Sequence, residues 1–335
     1  MGLGIKKFIK AHFITEDHPY LMGLWLDRWK RKMLAEQEAH SHMTYAEIEA
    51  AIGRRYQEMF GRTLNWENPQ TYNEKIHVSK LYMPTPLKTR LADKVAVCEW
   101  IAGKIGSEYL IPLLGVYDSF DEIDFDALPD QFVIKCNHDS GSVTLVKDKR
   151  SINRDLLRKK YDLFLKRNFG WQNWEMQYRD IPPKMLVEKY IEQLDGGLLD
   201  YKVHCFNGKP EFIQVIGDRD LRTHSGFQRN YDFGWRNLGW IFEDYPEFTR
   251  ELDRPKCLGD IYRFAEALCS DFEYVRVDFY ALDDSVLFGE MTFSPANGSY
   301  RYRGTWTEEL DYKLGALWPF DPSVRAQVLA HSSRP

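Results

Sequence analysis

Two carboxylates lie on neighbouring predicted strands in the C-terminal third of the chain. Asp278 and Glu290 interrupt apolar runs in VRVDFYALDDSVLFGEMTF (275–293), which a turn at Asp283-Asp284 folds into a hairpin. In such a hairpin they are close to cross-strand partners and point to one face. Two carboxylates so placed repel each other unless a cation lies between them. With oxygen atoms as the only ligands the cation is expected to be Mg²⁺, which proteins commonly use to bind phosphate groups. The pattern predicts a Mg²⁺ site, with an exposed polar hairpin as the alternative; removing either carboxylate should then relieve repulsion.

A second pattern could bind phosphate. Lys135 ends the apolar run FVIK (132–135), the small polar loop CNHDSGS (136–142) follows, and a further strand is predicted over 143–147. A fixed ammonium beside a loop of backbone N–H groups and hydroxyls suits phosphate oxygens. The loop has neither the GxxxxGK[ST] pattern of a Walker A motif nor the spacing of a Rossmann fingerprint. A plain β-turn is an equally good interpretation.

Three weaker patterns carry charge at the ends of predicted elements. VEKYI (187–191) could offer backbone groups and apolar flanks to a purine, Asp200 and Lys202 share one face of a strand, and Lys94 begins a helix. Each fits an ordinary surface charge equally well.

The secondary structure that must position these residues is predicted to change near residue 110, from helices to mainly strands. Helices are predicted over 21–38, 43–60, 72–81 and 91–105, and later over 153–168 and 258–269. Strands are predicted over 109–117, 132–136, 143–147, 185–191, 199–206, 211–216, 274–281 and 286–293, with a hairpin turn at Asn207-Gly208. We therefore expect an α+β fold with mainly antiparallel sheets after a helical N-terminal third. The last dozen residues are expected to fray.

Composition narrows the class of protein. The 335 residues carry a formal charge of −5, which argues against holding nucleic acid by bulk electrostatics. Five cysteines without a CxxC pair predict free thiols in a reducing cytoplasm. The first helix has a basic face, with Arg28, Lys30, Arg31 and Lys32, which predicts either docking on its own domain or contact with an anionic membrane surface.

The order of these motifs along the chain resembles that of the ATP-grasp superfamily. Their amino-acid sequences are most similar to those of its TupA-like (teichuronopeptide biosynthesis) family. The similar segments are 68–76, 90–106, 111–141, 198–215, 275–293 and 311–315, so the resemblance covers about 65–320. It implies two α+β subdomains that grip a nucleotide between their sheets. The expected division is a helical region (1–64), the N-terminal part of the enzyme (65–128), a small subdomain with the phosphate loop (129–192), a large subdomain with the Mg²⁺ site (193–320) and a tail (321–335).

The resemblance also implies roles for individual residues. Lys94 and Lys135 would contact ATP phosphates, and a flexible loop with His138, Ser140, Gly141 and Ser142 would close over the γ-phosphate. The adenine hinge would consist of Glu188, Lys189 and Ile191.

On the second subdomain, the resemblance implies that Lys202 reaches the nucleotide and that Arg276 binds the acyl phosphate and the oxyanion that follows it. Asp278 and Glu290 would be the Mg²⁺ ligands, with ATP and Mg²⁺ as cofactors. Members often carry Asn as a further ligand two residues after the Glu; here that position is Thr292, which could reach the metal directly or through water.

The activity implied is ATP-dependent ligation of a carboxylate to an amine, with a uronic acid and an amino acid or amino sugar as partners in surface polysaccharide synthesis. Substrate contacts are expected from the loop with Ser294, Asn297, Gly298 and Ser299. Arg219, Arg222 and Arg229 could hold carboxylate or diphosphate groups, and ordinary solvated charges are an equally good interpretation. An aromatic cluster of Trp171, Trp174 and Tyr178 could stack on sugars or simply pack in the core. A glycosyltransferase of a polysaccharide operon and a non-catalytic nucleotide-binding protein are the alternatives.

Overall fold

The structure of the chain, a computed structural model, describes residues 19–191, 197–220, 225–282, 285–304 and 307–335. Its strands form antiparallel sheets of four, five and two strands, and helices cover the two larger sheets. The predicted α+β class is confirmed. The turn predicted at Asp283-Asp284 and the position of Arg222 lie outside these ranges. Within them, no helix combines the length and the apolarity needed to cross a membrane.

Before the sheets, the described chain forms five helices: α1 (Pro19–Ser41), α2 (Tyr45–Phe60), α3 (Tyr72–Tyr82), α4 (Pro86–Ala92) and α5 (Ala96–Lys104). The side chains of Thr44 and Thr71 cap α2 and α3, each with a glutamate three residues later that accepts a bond from the cap. These reciprocal bonds satisfy N–H groups that a helix start leaves free. The two helices therefore begin where local sequence directs.

The helix predicted over 91–105 is interrupted. The Asp93 carboxylate accepts hydrogen bonds from the N–H groups of Val95 and Ala96, at 2.8 and 3.3 Å, and α5 begins after this turn. Lys94 therefore lies in the junction between two helices. Its backbone N–H donates to the carbonyl of Asn137 at 3.1 Å, which joins the junction to the phosphate loop.

The four-stranded sheet has the order β1-β4-β2-β3. Tyr161, on the covering helix, is fully buried, and its hydroxyl oxygen lies 2.8 Å from each of the carbonyl oxygens of Ile134 and Ser142, which share its single proton. A helix residue thus ties one strand to the end of the phosphate loop. The elements are β1 (Leu113–Tyr117), β2 (Phe132–Cys136), β3 (Thr144–Val146), β4 (Met185–Lys189) and the helices α6 (Arg154–Phe164) and α7 (Phe169–Asn173).

The five-stranded sheet has the order β10-β9-β5-β6-β7. Asn207 and Gly208 have φ values of 48° and 71°, so the predicted tight hairpin turn is confirmed. One face of the sheet packs against α8, where Ile261, Ala265 and Leu268 join the largest apolar core. The other face carries the polar residues described below. The elements are β5 (Asp200–Phe206), β6 (Lys209–Asp220), β7 (Ser225–Tyr231), α8 (Leu258–Cys269), β9 (Tyr274–Leu282) and β10 (Ser285–Thr292).

The expectation that the C-terminal dozen residues fray is wrong. Helix α10 (Ser323–His331) follows α9 (Thr307–Ala316), and Arg325 donates to both carboxylate oxygens of Glu49 on α2, at 2.5 and 2.9 Å. This bidentate pair holds the end of the chain against the N-terminal helices. A short antiparallel sheet pairs β8 (Trp240–Phe242), which follows β7 in the sequence, with β11 (Tyr302–Gly304), which precedes α9.

Candidate active site

A row of polar residues crosses the five-stranded sheet. Glu290 pairs with Asp278, Asp278 with Lys202, and Lys202 with Gln214 on consecutive strands. The predicted cross-strand pairing of the two carboxylates is therefore confirmed. The pairing of β9 and β10 shifts register between Phe288 and Glu290, and a Cβ at the intervening Gly289 would lie 3.0 Å from the carbonyl of Asp278. The bulge, which requires a small residue here, aligns Glu290 with Asp278.

Arg276 lies between the two carboxylates. Its Nε and Nη2 atoms donate to Oδ1 and Oδ2 of Asp278, both at 2.7 Å, and Nη2 also donates to Oε1 of Glu290 at 3.1 Å and to the hydroxyl of Thr292 at 3.0 Å. Lys202 contacts Asp278 and lies 2.7 Å from Oδ2 of Asp200. The site therefore pairs three carboxylates with two cations.

The charge balance fixes the ionisation of Asp278. Burial alone would raise the pKa of this carboxyl, but Arg276 and Lys202 outweigh burial and lower the pKa to about 2. Asp200 differs: burial raises its pKa against the opposing effect of Lys202, and its Oδ1 atom has no hydrogen-bond partner among the residues described. The expected repulsion between bare carboxylates is thus replaced by attraction to built-in cations.

The same geometry fits a divalent metal. One nitrogen of Arg276 contacts oxygens of both Asp278 and Glu290, so the two oxygens converge on one point, which a divalent cation would take in place of that nitrogen. Glu290 keeps 42% of its side chain exposed, which leaves it open toward a ligand. In the described part of the chain no three His, Cys, Asp or Glu side chains could hold a metal. Mg²⁺ here would therefore need oxygens from Thr292, water or a nucleotide.

On the four-stranded sheet, Lys135 and Glu188 form an ion pair between neighbouring strands. The Lys135 ammonium lies 2.6 Å from Oε2 of Glu188, and both side chains are largely buried. Lys94 reaches the same region from the α4–α5 junction and donates its ammonium to the carbonyl of Asp139 at 2.5 Å. The structure thus places both expected phosphate lysines near the start of the β2–β3 loop, where it leaves β2.

The β2–β3 loop is anchored at its shoulders. The Ser142 hydroxyl donates to Asp139 at 2.7 Å and accepts from the Cys136 N–H at 2.8 Å. The buried His138 ring lies 3.2 and 3.0 Å from the carbonyls of Phe164 and Arg167, and burial lowers its pKa. Its ring nitrogens therefore face the protein, so a phosphate contact from this residue would come from the backbone. Only the tip of the expected lid, Ser140-Gly141, is exposed, with Gly141 at φ 92°.

The expected adenine hinge lies at the end of β4. Glu188 is buried in its ion pair, the side chain of Lys189 is exposed, and Ile191 is buried. The Lys189 N–H donates to the carbonyl of Pro112 at 2.9 Å. The chain from residue 192 to 196 lies outside the described ranges.

Tyr178 relates the two sheets. Burial raises the pKa of its hydroxyl, and the negative charges of Glu175, Glu290 and Asp139 raise it further. Glu290 belongs to the five-stranded sheet and Asp139 to the β2–β3 loop of the four-stranded sheet. Groups from both sheets therefore lie close enough to Tyr178 to affect the pKa of its hydroxyl. Trp174, by contrast, is 1% exposed and packs in the helical core, so it does not offer a face to a sugar.

The expected substrate arginines separate. Arg219 lies 3.5 Å from Asp200, beside the polar row. Arg229 is instead paired with Glu247 and Glu251, each at 3.0 Å, away from the row. The loop Ser294–Ser299 begins two residues after the end of β10, and its Asn297 and Gly298 lie next to the buried Lys80 and His77 of α3.

Sequence reasoning missed four polar residues that support this site: Asp139, Arg167, Lys80 and Glu175. Each is paired across a long sequence separation, as in the 3.2 Å contact between Arg167 and Asp139. Charged residues within apolar runs, such as Lys80 in VSKLY (78–82), were the available indication.

One antiparallel sheet carries the lysine Lys135 and a second carries the carboxylates Asp278 and Glu290, as expected of an ATP-grasp protein. The chain belongs to the TupA-like ATP-grasp family, whose model matches residues 74–318. No curated protein sequence matches the chain.

Several solved ligase structures are similar to this one. A D-alanine–D-alanine ligase from Bacillus anthracis is 18% identical, over 72% of this chain and 70% of that chain, with a TM-score of 0.40. An L-amino acid ligase from Bacillus licheniformis is 12% identical, over 82% of this chain and 61% of that chain, with a TM-score of 0.42. The D-cycloserine synthetase DcsG is 16% identical, over 80% of this chain and 79% of that chain, with a TM-score of 0.38.

Proposed function

We propose that the chain is an ATP-dependent ligase that joins an amine to the carboxylate of a uronic acid or related sugar in surface polysaccharide synthesis. The observation that carries the proposal is the row of Glu290, Asp278 and Lys202, bridged by Arg276. Membership of the TupA-like ATP-grasp family supports the reaction class.

In the proposed reaction, a carboxylate oxygen attacks the γ-phosphorus of ATP and ADP leaves. The amine then attacks the acyl carbon, loses a proton and expels phosphate. Mg²⁺, when bound at Asp278, Glu290 and Thr292, would neutralise phosphate charge. Lys94 and Lys135 would hold phosphate oxygens, and Arg276 would hold the oxyanion of the tetrahedral intermediate.

The remaining assignments follow the same proposal. The tip Ser140-Gly141 would cover the γ-phosphate, with His138 and Ser142 holding its shoulders; Glu188, Lys189 and Ile191 would form the adenine side. Ser294, Asn297, Gly298 and Ser299, with Arg219, would seat the carboxylate substrate.

Hydroxamate formation tests the ligase. With hydroxylamine as the amine and glucuronate, galacturonate or free amino acids as the carboxylate, we expect ADP release that depends on the carboxylate, together with a hydroxamate. Asp278→Asn, assayed in parallel, controls for contaminating ATPases. ADP release independent of every carboxylate, with no hydroxamate, would refute the proposal. Turnover of a sugar nucleotide without ATP would instead indicate a glycosyltransferase.

The polysaccharide role has a separate test. Mass spectrometry of the native surface polysaccharide, with and without the gene, should show an amide substituent that disappears with the gene. An unchanged polysaccharide would remove this role while leaving the ligase activity in place.

We also propose a peripheral membrane contact through α1. Met22, Leu26 and Met33 dock the helix on its own protein, while the basic face around Arg28 and Arg31 stays exposed. That face suits anionic headgroups. Sedimentation with phosphatidylglycerol vesicles, compared with phosphatidylcholine vesicles, tests it; equal binding to both would contradict it.

A further inference from the structure

The loop after β10 has an unusual backbone. Ala296, Asn297 and Gly298 have φ values of 49°, 55° and 73°, three left-handed residues in succession. Two of them carry side chains, for which this conformation costs free energy. Such a loop persists only where its surroundings determine it.

Residues on one face of α3 contact the middle of the loop and the residue that follows it. Asn73, His77 and Lys80 recur at the i, i+4 and i+7 positions, which lie on one helix face. The Asn73 side chain accepts from the N–H of Tyr300 and donates to its carbonyl, both at 2.9 Å. A Cβ on Gly298 would lie 2.9 Å from the His77 ring, so helix and loop are in close contact.

Lys80 makes the polar contact at the centre of this face. Its ammonium donates to the side-chain oxygen of Asn297 and, at 3.3 Å, to the Asn297 carbonyl. Both acceptors belong to a left-handed residue, so the ammonium favours this conformation over an extended one. Lys80 is only 3% exposed. Burying an ammonium costs free energy unless hydrogen bonds or an opposite charge compensate for the lost water, so the contacts with Asn297 are part of what stabilises Lys80 in this position.

A second set of contacts holds the start of the loop. The Ser294 hydroxyl donates to Glu175 at 2.5 Å and accepts from the Gln177 amide at 2.6 Å. Glu175 is 6% exposed and carries the charge opposite to that of Lys80. Two buried ionisable groups therefore contact the same six-residue loop, Glu175 at its first residue and Lys80 at Asn297.

We propose that Lys80 and Glu175 are positioning residues that clamp the loop Ser294–Ser299 in its left-handed conformation and so set the place of the carboxylate substrate. The substrate part rests on the proposed function; the clamp does not. The clamp predicts that loss of either residue frees the loop backbone. The substrate part predicts a rise in KM for the carboxylate without a matching rise for ATP.

Lys80→Met removes the ammonium and keeps the aliphatic chain. Lys75→Met is the matched control, because Lys75 lies on the same buried helix and its ammonium donates to the carbonyls of Gly315 and Trp318, at 2.8 and 2.6 Å, away from the loop. Hydrogen–deuterium exchange should accelerate at least tenfold at the Asn297, Ser299 and Tyr300 amides in Lys80→Met. It should stay within twofold of wild type in Lys75→Met.

Binding of a non-hydrolysable ATP analogue should stay within twofold in Lys80→Met, while KM for the carboxylate in the hydroxamate assay rises at least tenfold. Unchanged loop exchange would overturn the clamp, and equal rises in both KM values would overturn its role in substrate placement. If wild type forms no hydroxamate, the proposed function fails, and the exchange result still decides the clamp. Should Lys80→Met not fold, Glu175→Leu tests the clamp from the other side, with the same faster exchange expected.

Discussion

Replacing Asp278 by Asn should strongly destabilise the protein. Two carboxylates on one face would repel, so the sequence alone predicts relief when one is removed. In the structure, Asp278 accepts two bonds from Arg276 and contacts Lys202, with both cations largely buried. The neutral amide would leave these cations without their main counter-charge, which is far more costly than losing a surface pair.

The size of the effect follows from the pKa of Asp278. Its value of about 2, against an ordinary value of 3.8, corresponds to roughly 2 kcal/mol of stabilisation of the charged form. Because the folded-state pKa is lowered, this stabilisation is complete above about pH 4 and is lost as the pH falls toward 2. At pH 7 we therefore expect Asp278→Asn to lose about 2–4 kcal/mol of unfolding free energy.

Urea unfolding at pH 7, followed by tryptophan fluorescence, measures the loss without any substrate. Asp180→Asn is the matched control, because Asp180 also accepts two bonds from one arginine, Arg179, but is 63% exposed. That variant should stay within about 0.5 kcal/mol of wild type. An Asp278→Asn protein as stable as wild type, or more stable, would refute the reasoning.

Lys135→Met should weaken ATP binding more than AMP binding in calorimetric titrations, since only the phosphates lose a partner; equal losses would place Lys135 elsewhere. Arg276→Lys keeps the charge but not the two-pronged geometry, so kcat should fall about 100-fold with little change in ATP affinity, and unchanged kcat would contradict its role. Burial lowers the pKa of Lys80 and raises that of Glu175, each to about 7. Their joint contribution to the free energy of unfolding should therefore be lowest near pH 7. Lys80→Met should abolish the rise in this free energy between about pH 7 and 10.5. Burial raises the pKa of Cys98 to about 11, so iodoacetamide at pH 8 should label it far more slowly in native than in urea-unfolded protein; equal rates would contradict its burial.

Features set by neighbouring residues could be predicted from the sequence. The capped start of α3, the Asn207-Gly208 hairpin and the pairing of Asp278 with Glu290 each depend on residues within a few positions or on one turn. Strand β7 was missed because SGFQRNY (225–231) lacks an apolar alternation, yet its buried Gln228 is satisfied by the Phe242 and Tyr245 carbonyls. Its polarity is compensated by a distant segment, which no local pattern reveals.

Contacts across long sequence separations account for the other differences. The C-terminal helix is held by the contact between Arg325 and Glu49, and the loop Ser294–Ser299 by the contact between Lys80 and Asn297. A local pattern gives the charge of such residues but not their partner. The break between α4 and α5 has a local cause that the helical pattern hides. Asp93 lies within that pattern, but its carboxylate accepts hydrogen bonds from the N–H groups of Val95 and Ala96, and a new helix begins there.

One segment, residues 164–178, supports both loops of the proposed site. At its start, Arg167 donates to Asp139 and to the Ser140 carbonyl on the phosphate loop, at 3.2 and 3.0 Å. At its end, Glu175 and Gln177 bind the hydroxyl of Ser294 on the loop after β10. Phosphoryl transfer requires donor and acceptor to be placed within a fraction of an ångström. Because a displacement of this segment would break contacts at both loops, one continuous piece of chain couples the position of one loop to that of the other.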